Sequence, residues 1–119
     1  MKAILAPIKP GQSGPEVVNL QDALFALLER DIIWPLNAPD RPTPEALVKL
    51  TEGLKQERVE SLFGAATGQF VMDFQIQQGL GDHLRDVGVD DKTADKLNEW
   101  LKRLRLFDIL SRANKRKAG

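Results

Sequence analysis

The chain has 119 residues, 42% hydrophobic and 29% charged, which fits one globular domain around a single modest core. It has no cysteine, so a disulfide framework, a thiolate metal site and a cysteine nucleophile are all excluded. Formal net charge is zero but unevenly placed: from Lys96 onward eight cations face only Glu99 and Asp108, leaving an acidic remainder.

The opening "MKAILAPIKPGQSG" has a short apolar run broken at Pro7, unlike the unbroken stretch of a secretory signal, and no apolar run is long enough for a membrane span. Compartment is left open. The first helix is announced by "SGPE". Ser13 is expected to cap it, Glu16 to reach back as in a capping box, and Pro15 suits a first turn that needs no amide donor. Val17, Leu20, Leu24, Leu27 and Leu28 then fall on one helical stripe.

"RDIIWPLNAPDRPTP" follows, with four prolines among its last eleven residues, and reads as an extended connector. A second helix opens at Thr43 as cap with Pro44 in the first position, and buries Leu47, Leu50 and Leu54 around an interrupting Gly53. The third helix is "LFGAATGQFVMDFQIQQGL". Gly64 marks its start, Thr67 lies in its first turn with a hydroxyl to offer the free backbone there, and Ala66, Phe70, Val71 and Phe74 share a face. Gly79 stops it and Leu80 is expected to pack back on the last turn.

After "GDHLRDVG" the last helix begins at Asp90 as cap, with its acidic first turn opposing the helix dipole. Leu97, Trp100, Leu101 and Leu104 form its buried stripe, which Phe107 and Leu110 are expected to extend. Residues 112–119 read as a basic disordered tail. "LFGAAT" and "GVDDKT" form a faint repeat: an apolar residue, a small or capping residue, then threonine three positions later. Two helices are thus started by one device.

These residues in this order resemble the peptidoglycan-binding-like domain, a small three-helix module. The resemblance rests on Gly11, Gly14, Val17 or Val18, Leu20, Gln21, Phe63, Gly64, Thr67, Phe74, Gln75, Gly79, Leu80, Val89, Asp90, Thr93 and Leu97. It implies an all-α fold, a small orthogonal three-helix bundle over residues 11–111, preceded by an extension at residues 1–10. The chain departs from that pattern by an insertion at about residues 32–60, which carries an extra helix and lies near one face of the module. The resemblance further implies a non-catalytic module that attaches its protein to cell-wall glycan or peptide, with peptidoglycan or a muropeptide as partner. The alternative is a divergent structural or protein-interaction domain, at the head of a larger bacterial chain of toxin-like or hydrolase type, that docks a neighbouring domain.

Candidate ligand contacts are Trp34, Gln21, Gln75, His83, Arg85 and Asp86. Trp34 could stack on a sugar ring, but covering the core beneath the connector is the preferred reading. The amides of Gln21 and Gln75 could meet sugar or peptide groups, or brace turns by bonding loop carbonyls, which is the preferred reading. His83, the only histidine, sits with Asp82, Arg85 and Asp86 on one loop suited to binding. One histidine among scattered aspartates is a poor metal site, and no nucleophile lies near it in sequence. No cofactor, metal or nucleic acid is expected, and a monomer is.

Overall fold

The computed structural model describes residues 1–80 and 88–107. Their order is α1 (Pro15–Glu29), α2 (Pro44–Glu60), α3 (Ala65–Gln77) and α4 (Asp91–Arg103). The described residues form no named strand, only two isolated antiparallel bridges, Ser13 with Leu62 and Ile8 with Val89. The all-helical expectation therefore holds, with the inserted helix as α2.

Hydrophobic periodicity explains the packing. Val17, Leu20, Leu24 and Leu27 of α1, Leu54 of α2, Phe70, Val71 and Phe74 of α3, and Leu97 and Leu101 of α4 join one buried cluster. The N-terminal segment contributes Ile4 and Ile8 to it, at 2% and 1% exposure. Two asparagines hold that segment: Asn19 of α1 accepts from the Lys2 amide and donates to its carbonyl. Asn98 of α4 does the same with Ile4. The connector adds Ile33 and Trp34, both buried. Gly53, which interrupts the apolar stripe of α2, lies where an added Cβ would come within 3.1 Å of the Ala66 methyl. It lets α2 approach α3.

Helix starts differ from expectation at α1. Its N-cap is Gly14, at φ +123°, and no side chain caps it. Ser13 is instead drawn into the bridge with Leu62, so its hydroxyl does not serve as the cap. Thr43 and Asp90 cap α2 and α4 as expected, accepting from the Ala46 and Thr93 amides.

Helix ends follow one pattern. Asp31, Ser61, Gly79 and Arg105 all take the left-handed conformation, with φ of 60°, 56°, 72° and 58°. The next amide, of Ile32, Leu62, Leu80 or Leu106, bonds back to the carbonyl of Leu27, Glu57, Gln75 or Leu101. This is the Schellman arrangement, and each following apolar residue is half-buried against its helix. Only at Gly79 is a glycine present to announce it. At α4 it stops the helix at Arg103, short of the expected extension through Leu110, because Arg105 turns left-handed and Leu106 folds back.

Candidate interaction surface

Gln21 and Gln75 occupy equivalent places. Both side chains are fully buried. The Gln21 amide donates to the Leu62 carbonyl at 2.9 Å and to the Thr67 hydroxyl at 3.0 Å. The Gln75 amide donates to the Gly88 carbonyl at 2.9 Å and to the Thr93 hydroxyl at 3.1 Å. Each glutamine of one helix thus clamps the start of a later helix, and in both cases the amide oxygen finds no hydrogen-bond partner. The faint repeat in the sequence is a real structural repeat.

Its two copies differ at one residue. In the second, the Asp90 carboxylate accepts from both the amide and the hydroxyl of Thr93. Burial pushes that carboxyl up, but those hydrogen bonds outweigh it and hold Asp90 below the usual carboxylate range. In the first copy Gly64 stands where Asp90 stands, and Glu57 of α2 supplies the carboxylate. Glu57 accepts from the Thr67 amide at 2.8 Å and hydroxyl at 2.7 Å, and also from the Gly64 and Ala66 amides. A Cβ at Gly64 would lie 2.6 Å from that carboxylate. The Gly64 backbone, at φ −103°, is extended and would admit any residue. Space for Glu57 demands the glycine. The Thr67 hydroxyl, expected to meet the backbone, bridges Glu57 and Gln21 instead.

Trp34 is 3% exposed and packs edge-on against Phe70, with ring centroids 5.1 Å apart. Its ring is not offered to a sugar. The amide of Trp34, which sits at φ +48°, donates to the Asp73 carboxylate, and its carbonyl accepts from the Arg41 guanidinium. Asp73 is 2% exposed. Burial, then the adjacent Asp40 carboxylate, push its pKa up to about 7, against a smaller pull downward from the Trp34 amide and Gln77. Gln77 also donates to Asp40, tying the connector to α3. Sequence reasoning misses Asp73. Its only signal there is a carboxylate beside Phe74, on the buried side of an apolar helix.

Trp100, expected in the interior, is half-buried; it donates its indole N–H to Gln78 and carries the Arg103 guanidinium 4.7 Å above its ring. His83, Arg85 and Asp86 lie outside the described residues. Among the described residues no three histidine, aspartate or glutamate side chains converge as metal ligands, and no helix is long and apolar enough to cross a membrane.

What faces solvent is the outer side of α2. A groove of about 440 Å³ runs along it, lined by Arg41, Pro44, Leu47, Val48, Thr51, Glu52 and Lys55. Its floor is apolar and its edges carry both signs of charge. Val48 and Val59 on this helix are 55% and 77% exposed, unlike Val17 of α1 and Val71 of α3, which are buried in the core. A second depression, along the start of α1, is lined by Lys2, Pro15, Val18, Asn19 and Asp22 among others. There Asn19 is already committed to the Lys2 backbone and Asp22 to an ion pair with Arg58. No family model, curated protein or solved structure matches this chain.

Proposed function

We propose that this chain is a non-catalytic binding module that meets a protein partner through the outer face of α2. The carrying observation is that the insertion divides its roles by face. Its inner side is consumed by the fold, through Ile33, Trp34, Leu54 and the Glu57 carboxylate. Its outer side keeps an apolar groove with charged edges, where shape and apolar area supply affinity and charges set orientation. Catalysis has little support here: the carboxyl poised near neutrality, Asp73, is closed off from solvent.

A second reading keeps the wall ligand that the sequence resemblance implies. It is supported by the fixed order of the motif residues and by the polar side chains His83, Arg85 and Asp86 clustered in the sequence. Against it stand the buried positions of Trp34, Gln21 and Gln75, which serve the core and the helix starts.

Co-sedimentation with purified peptidoglycan separates the two. The protein-docking reading expects no pelleting above background, and no movement of α2 amide resonances on adding soluble muropeptides. Saturable pelleting, lost when His83, Arg85 and Asp86 are changed to alanine, would establish the wall ligand and remove the protein-docking reading. Trp34→Ala is unsuitable for this test, because removing a buried indole disturbs the core first.

A further inference from the structure

The outer face of α2 carries a self-complementary pattern, and we infer that it pairs antiparallel with α2 of a second copy of this chain. The inference rests on the protein-docking reading and names the partner.

Val48, Glu52, Lys55 and Val59 are all exposed. Their spacing of four, three and four residues is that of a coiled-coil seam, and at about 100° per residue they fall within a strip about 60° wide. Gly53, Leu54 and Glu57, which meet Ala66, the core and the start of α3, lie on the opposite side. The strip is therefore free of the fold. Read from either end it runs valine, charge, opposite charge, valine. A two-fold axis crossing the helix between Gly53 and Leu54 places Val48 against Val59 of the second copy and Glu52 against Lys55 of the second copy. The same operation repeats both contacts, as an isologous interface requires. A parallel pairing would set Glu52 against Glu52 and Lys55 against Lys55. Among the described residues neither Glu52 nor Lys55 has an ion-pair partner within its own chain. The groove beside the strip shares Val48, Glu52 and Lys55 with it, so Leu47 and Thr51 border the contact.

A single helix pair is smaller than the ~1,200–2,000 Å² of a stable interface, so the dimer is weak, with a dissociation constant of about 0.1 mM. Sedimentation equilibrium across about 10 μM to 1 mM protein therefore spans the transition. Glu52→Lys and Lys55→Glu each place like charges across the axis and are expected to weaken association about tenfold. The double reversal Glu52→Lys/Lys55→Glu restores the opposite pairs and is expected to return it to within about threefold of the parent. Because the chain has no cysteine, Val48→Cys protein mixed with Val59→Cys protein should form the mixed disulfide ahead of either homodimer. All four positions are exposed, and circular dichroism checks that each variant is folded.

A chain that stays monomeric to 1 mM, or a double reversal no better than its single variants, overturns the inference. Equal cross-linking of Val48→Cys with itself also overturns the antiparallel register. Peptidoglycan sedimentation is run on the same proteins. Saturable pelleting by every variant removes the protein-docking reading whatever the oligomeric state. A monomer that does not pellet removes only the dimer.

Discussion

Asp73 shows how one side chain acquires its character from neighbours distant in sequence. The Trp34 amide it accepts from lies 39 positions earlier, and the carboxylate that crowds it, Asp40, comes from the same connector. Trp34 sits at positive φ because its ring is pinned on Phe70 while its amide is aimed at Asp73. The pKa of Asp73 rises from 3.8 to about 7, so folding favours its neutral form. That contribution is complete below pH 3.8 and is lost as pH rises through about 7, a loss on the order of a few kcal/mol at ~1.4 kcal/mol per pH unit. Asp73→Asn keeps an acceptor for Trp34 and removes the charge. Urea unfolding should therefore find Asp73→Asn more stable than the parent at pH 8 by at least about 1 kcal/mol, with the two converging near pH 4. An Asn variant weaker than the parent at pH 8 would mean that Asp73 is held ionised by the connector.

Between elements, the decisive contact is Glu57 of α2 on the first turn of α3. A helix N-terminus leaves several amides without partners, and a carboxylate there satisfies them and opposes the dipole. The two copies of the repeat solve this differently, locally at Asp90 and through space at Glu57. Glu57→Ala should cost about 2 kcal/mol, since it removes a cap and the acceptor of the buried Thr67 O–H, leaving that hydroxyl only the bond it accepts from Gln21. Gly64→Asp alone should also destabilise, because its side chain collides with Glu57. Combined, Glu57→Ala/Gly64→Asp should regain most of the loss by rebuilding at position 64 the cap seen at Asp90. Thermal denaturation of the three variants reads this out, and additive losses in the double variant would disprove the equivalence of the α3 and α4 starts. Arg58 beside Glu57 reaches the other way, to Asp22 of α1, but that pair is exposed and contributes little.

At the scale of the molecule, the insertion behaves as part of the fold. It supplies Ile33, Trp34 and Leu54 to the core and the cap of α3. Replacing residues 32–60 by a short Gly-Ser linker should leave a chain without a cooperative thermal transition, because α3 loses its cap and Phe70 its aromatic neighbour. A sharp transition at the parent's midpoint would show that the remaining helices form a sufficient core by themselves.

Periodicity, together with side chains that bond three residues away, suffices to place the helices, the buried faces of α1 and α3, and the starts at Thr43 and Asp90, whereas in α2 only Leu54 of the expected Leu47, Leu50 and Leu54 is buried and in α4 Trp100 and Leu104 are half-buried. The stop at Gly79 is legible for the same reason, while equivalent stops at Asp31, Ser61 and Arg105 are hidden because residues other than glycine take the left-handed turn. The glutamines are visible as motif positions, and bracing is the preferred reading, but their partners are set by helix packing. Three features had to wait for the folded chain: the near-neutral Asp73, the room that Gly64 leaves for Glu57, and the clear outer face of α2. Each depends on how separate elements pack, whether 39 positions apart as for Trp34 and Asp73 or seven as for Glu57 and Gly64, so burial and charge are properties of the assembled neighbourhood that no helix-period pattern encodes.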